Sequence, residues 1–191
     1  MEEFLINEFG ESFGSKIYEM QQKKLQVLIG QTKDKSSSQM KTLIKIILPR
    51  VSLYKVLQEE LSDNKKAYDI VQKYMFTVVG AKLNKKYSSI EFIPGYFYMF
   101  RKMMGSVVSK SDNWEKEITE NDNTAIKYNI TKCLWNDACI ENNCSELCRI
   151  FCDVDHVIYH GMKKVKFVRK GTLGTGSKCC DFCFINKKNE K

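Results

Sequence analysis

The sequence predicts an α+β fold, with N-terminal helices packed on a C-terminal antiparallel sheet that ends in a hairpin. Two observations predict it. Apolar residues up to about position 110 recur every three or four residues, the period of an amphipathic helix. Beyond that point short segments alternate apolar and polar residues, the period of a half-buried strand. A third observation supports this division. All eight cysteines and both histidines fall between Cys133 and Cys183. A chain of 191 residues suits one domain. We divide it into a mostly helical part, 1–110, and a strand-rich, cysteine-rich part, 111–191.

Phe13, Ile17, Met20, Leu25, Leu28 and Ile29 place a helix over about 14–30. The polar stretch Thr32 to Ser38 breaks it. Ser37 or Ser38 then caps a second helix through Met40, Leu43, Ile44 and Ile47. Pro49 bends that helix or starts a new one, and Val51, Tyr54, Leu57 and Leu61 carry the stripe to Ser62. From Asn64 a further apolar face runs through Ala67, Ile70, Val71, Tyr74, Met75 and Val78 to about Asn84, dented at Gly80. Pro94 suits a first helical position, followed by Tyr96, Phe97, Phe100, Met103 and Met104. Core packing explains that aromatic stripe without a cofactor.

Trp114, Ile118, Ile126, Tyr128 and Ile130 read as two strands joined by the turn Asn121-Asp122-Asn123. Cys133 to Ile140 and Ser145 to Phe151 read as short helices. Val165, Phe167 and Arg169 form one arm of the closing hairpin, and Cys180, Phe182 and Phe184 the other. Gly171 to Gly176 supplies the turn.

The charge balance, 31 Lys and Arg against 23 Asp and Glu, gives +8. It is spread along the chain, with no arginine-rich helix and no interleaving of bases and aromatics, so nucleic acid is not an expected partner. No apolar run reaches the roughly 20 residues of a membrane span. The first residues lack a basic segment followed by an apolar one, so a reducing cytoplasm is the expected location. There, thiols serve as small core residues, metal ligands or nucleophiles.

Four uses of the cysteines stay open from the residues alone. Cys144, Cys148 and Cys152 at four-residue steps, with Cys180 and Cys183 as Cys-x-x-Cys, allow a structural zinc site. However, Cys180 and Cys183 would face opposite ways in one strand. Alternatively Cys152 is a nucleophile: Cys152, Asp155 and His156 share a helix face if the helix continues, at i, i+3 and i+4. A third use is general acid–base hydrolysis by Asp153, Asp155 or Asp181. Finally, Cys139, Cys144, Cys179 and Cys183 are best read as core.

Between Leu147 and Phe184 the order is Cys-x-x-Asp at Cys152 and Asp155, a strand ending in Arg169, Thr172-Leu173-Gly174 with Gly176, and Cys180-Asp181-Phe182-Cys183-Phe184. This order resembles the bacterial L-2-amino-thiazoline-4-carboxylic acid hydrolases. The segment Ile47-Leu48-Pro49-Arg50 through Leu57 is similar to that family's helical region. The resemblance implies hydrolytic opening of a small cyclic amidine to an N-carbamoyl-cysteine-type product. On that reading Cys152, Asp155 and His156 are catalytic. Arg169 holds the substrate carboxylate and Asp181 contacts substrate. The alternative is a non-enzymatic small-molecule sensor similar to four-vinyl-reductase domains, with zinc held through Cys152 and Cys180. The expected partner is a small molecule, and a homo-oligomer stays open.

Overall fold

The computed structural model describes residues 1–189. Helices α1 (Glu2–Phe9) and α2 (Glu11–Gln31) pack against each other across Gly10, whose φ of 82° suits glycine. The sequence periodicity missed α1 because only Leu5 in it is fully buried. In α2, Ile17, Gln21, Leu25 and Leu28 face inward at helical spacing. Helix α3 (Ser37–Thr42) is capped by Ser36, one or two residues before the predicted Ser37 or Ser38. The Ser36 hydroxyl accepts from the Gln39 amide at 3.0 Å, and the Gln39 side chain accepts from the Ser36 amide at 3.1 Å.

A π-helical turn, Leu43–Ile47, leads into α4 (Leu48–Leu61). Pro49 therefore lies in the first turn of α4, where its missing N–H costs little. Helix α4 is buried nearly all round and forms the middle of the helical part. Its Ser52 is satisfied by Gln21 at 2.8 Å. Helix α5 (Asn64–Tyr74) is capped by Asp63 and passes through a second π turn, Met75–Gly80, into α6 (Ala81–Ser88). The dent expected at Gly80 is this π turn. Helix α7 (Tyr96–Lys110) starts after Gly95, whose φ is 69°. Pro94 thus precedes the helix instead of opening it.

Strands β1 (Trp114–Asn121) and β2 (Ala125–Cys133) form a hairpin. Its turn is closed by the Asp122 carboxylate, which accepts from the amides of Thr124 and Ala125 at 2.7 and 3.1 Å. Helix α8 (Leu134–Glu141) and a 3₁₀ turn at Ser145–Leu147 lead into α9 (Cys148–Ile158), which runs two turns past the predicted end. Strands β3 (Val165–Val168) and β4 (Cys180–Asn186) complete an antiparallel sheet of order β1-β2-β4-β3. The architecture is α+β, as predicted.

The buried residues form two clusters. One joins α1 to α5 with α8 and α9; the other joins α7 to the inner face of the sheet. Tyr87 and Tyr159 pack against both. Gly80 lets the second π turn approach α9, since a Cβ there would lie 3.0 Å from Val154 and from Val157. Gly80→Ala is expected to destabilise the protein by about 1–3 kcal/mol through overpacking. Thermal unfolding checks this: an unchanged Tm would show that α9 can shift at no cost.

Candidate functional site

Helix α9 sets the geometry. At 3.6 residues per turn, Phe151, Cys152, Asp155, Ile158 and Tyr159 fall on one stripe, while Asp153, His156 and His160 turn to the outside. The inward stripe borders a cavity of about 260 Å³. This cavity lies where the two hydrophobic clusters meet. Strand β2 supplies Tyr128 and Ile130, β4 supplies Cys180 and Phe182, and Arg169 enters from the end of β3. Ile46, Met75 and Val79 come from the two π turns. A π turn widens the helix and redirects its side chains, and such turns are frequent at functional sites.

Arg169 is the polar anchor. Its Nη1 donates to Asp155 Oδ2 at 2.6 Å, and its Nη2 donates to the Cys152 carbonyl at 2.6 Å. The guanidinium lies over the rings of Phe182 and Phe167, at 4.9 and 5.4 Å from their centroids. Its side chain is only 2 % exposed. Asp155 lines the cavity and keeps 23 % of its side-chain surface accessible. Burial pushes its carboxyl up to about 6 even though Arg169 pulls the other way.

Cys152 sits beside this pair within a connected row of sulfurs. Cys144 contacts Cys139, Cys139 contacts Cys148, Cys148 contacts Cys152, and Cys152 contacts Cys180. Hydrogen bonds from Cys148, Cys180 and Thr172, with the nearby Arg169 charge, lower the Cys152 thiol from its ordinary range and favour its ionised form. Cys180 is pushed up, first because it donates to Cys152 and then by burial. It stays protonated, and its sulfur also accepts from the Leu173 amide at 3.2 Å. Tyr128 and Tyr159 are held neutral by burial.

The predicted site residues separate into two groups. Cys152, Asp155, Arg169 and Cys180 meet at the cavity. His156 does not line it: the ring packs against Phe167 at 5.2 Å and faces an outer groove with Asp153 and His160. A position four residues after Cys152 lies about 40° further round the helix, past the edge of the buried stripe. Asp181 points to the opposite sheet face from Cys180, as neighbours in a strand do. Its carboxylate accepts from the Lys170 amide at 3.0 Å and from the Gly171 amide at 2.8 Å, and so fixes the turn that follows Arg169. Cys139 and Cys144 are core as expected, but Cys179 and Cys183 are partly exposed.

Zinc requires about four converging ligands. Among the described residues no group of three or more His, Cys, Asp or Glu is placed to hold a metal ion. Cys152 and Cys180 therefore belong to no such set among the described residues, and the donors present do not fit zinc. The sequence reading missed Thr172, which supports Cys152, and the two tryptophans. Thr172 was signalled by the Thr172-Leu173-Gly174 motif. Trp114 and Trp135 stack at 5.5 Å and both line the cavity. Nothing in the sequence pairs them, because one is on β1 and the other on α8.

A partly buried cysteine beside a carboxylate–guanidinium pair on the wall of a largely apolar cavity has the make-up of a small-molecule site. The chain belongs to the L-2-amino-thiazoline-4-carboxylic acid hydrolase family, whose model matches residues 39–184. That match runs from within α3 to within β4 and takes in every element between them. No curated protein and no solved structure gives a significant match. Among the described residues no helix is long and apolar enough to cross a membrane.

Proposed function

We propose that this chain hydrolyses a cyclic amidine of the 2-amino-thiazoline type, with Cys152 as the nucleophile. The observation that carries this reading is the placement of Cys152 on the cavity wall beside the Asp155–Arg169 pair, with Cys180 lining the same space. Family membership supplies the reaction class.

The amidinium head of the substrate pairs with the Asp155 carboxylate. The Cys152 sulfur adds to the carbon between ring sulfur and nitrogen. The ring C–S bond then breaks, and the departing sulfur takes a proton from the Cys180 thiol. Water next adds to the Cys152-bound carbon with Asp155 accepting its proton, and the C–S bond to Cys152 breaks to restore the thiolate. Proton return to Cys180 closes the cycle, so the net change is addition of one water to give a carbamoylated aminothiol. Asp155 remains held by Arg169 throughout, so the base keeps its position. The free thiols this chemistry needs fit a reducing compartment, and we place the protein in the cytoplasm.

Incubation with 2-amino-thiazolines should release one free thiol per molecule of substrate consumed. No release from any of them, across pH, would overturn the reading. The rate should fall on the acid side with an apparent pKa near 6, as Asp155 takes up a proton. Asp155→Asn should remove that limb and lower kcat/KM by roughly 10²–10⁴-fold. An unchanged acid limb in this variant would remove Asp155 from the proton transfers.

A further inference from the structure

We infer that the substrate of this site carries an apolar group where the family's namesake carries its carboxylate. This deepens the proposed hydrolase reading and rests on it for the reacting head of the molecule.

A buried carboxylate needs a cation or several donors, since an unpaired buried charge is strongly unfavourable. The sequence resemblance assigned that duty to Arg169. In the structure Arg169 is engaged by the protein itself. It is the only basic residue lining the cavity among the described residues. Both of its terminal nitrogens are engaged within the protein, on Asp155 and on the Cys152 carbonyl. Phe167 and Phe182 lie against the guanidinium, and the side chain is only 2 % exposed, so little of it is accessible to a ligand. Releasing it would strand Asp155 beside Cys152.

The charge around the cavity also points away from a second anion. The two acidic groups Cys152 and Asp155 stand on the wall against the single cation Arg169. That excess complements one amidinium head and repels a carboxylate. The remaining wall is aromatic and aliphatic, with Met75, Val79, Phe151 and the stacked pair Trp114 and Trp135 facing the space. At about 260 Å³ the cavity has the volume of roughly nine liquid waters, room for the head together with a ring-sized apolar substituent.

Trp114 and Trp135 are the only tryptophans in the chain, so intrinsic fluorescence reads the occupancy of the cavity directly. The test follows the fluorescence of wild-type protein on rapid mixing, before turnover, with 2-amino-thiazoline-4-carboxylate and with 2-amino-4-phenyl-2-thiazoline. Wild-type protein is assayed with both for thiol release. The phenyl compound should bind at least about tenfold more tightly, and the kcat/KM values should rank the same way. Equal or tighter binding of the carboxylate would overturn the inference, and so would binding of neither compound. Preferred binding of the phenyl compound without thiol release from either would leave the specificity standing and defeat the hydrolase reading instead.

Discussion

Cys152→Ser is expected to lower kcat/KM for thiol release by on the order of 10⁴-fold, the scale of losing an essential nucleophile. The variant should fold normally, because the side chain changes little in size. What changes is the charge. Hydrogen bonds from Cys148, Cys180 and Thr172 favour the ionised form of the sulfur. A serine hydroxyl in that place remains neutral and accepts the same hydrogen bonds without becoming a nucleophile. A second measurement separates chemistry from packing. With limiting iodoacetamide, Cys152 should be alkylated ahead of the other seven cysteines, since the thiolate is the reactive form. Mass spectrometry of the digested protein reads this directly. His156→Asn, a change outside the cavity, should leave turnover near the wild-type value. Near-normal turnover of Cys152→Ser would remove the covalent step and leave direct attack of water beside Asp155.

Much of this site was legible in the sequence because most of it is local. Cys152 and Asp155 lie three apart on one helix, and period alone puts them on one face. Cys180 and Asp181 are strand neighbours, so only one of them could face that helix. Pattern reading could not choose which, because the burial of a strand face depends on what packs against it. The sheet register settles it by placing Phe182 against Tyr128 and Phe184 against Ile126 on the buried side, the side that Cys180 shares. The role of Arg169 was legible only as a charge near the end of a strand. Its partners come from a helix fourteen and seventeen residues earlier, a tertiary contact with no periodic signature. The π turns were hidden for another reason. They insert a residue into a helix without changing its composition, so Leu43–Ile47 and Met75–Gly80 read as ordinary apolar stripes.

Arg169→Met is expected to destabilise the protein by about 3–5 kcal/mol at pH 8, the usual result of removing one partner from a buried ion pair. Asp155 is left without its guanidinium, and the Cys152 carbonyl loses its donor. The pH dependence identifies the cause. In the wild type, burial already holds the Asp155 carboxyl near 6 against an ordinary value of 3.8. The native state therefore binds more protons than the unfolded chain between those values. By linkage, the contribution of this group to stability is fullest below 3.8 and is lost as pH rises through 6. Without Arg169 the carboxyl moves higher still, so the loss extends to higher pH. The variant should consequently recover part of its stability between pH 8 and pH 5, relative to wild type, as Asp155 becomes neutral. Adding Asp155→Asn should also recover part of it, because the stranded charge is then absent at every pH. Denaturant titrations of the two single variants and the double variant at both pH values complete the cycle. If Arg169→Met were as stable as wild type at pH 8, the pair would not be holding α9 to the sheet. Arg169 would then be free to turn toward a ligand carboxylate, and the apolar substrate inferred above would lose its main support.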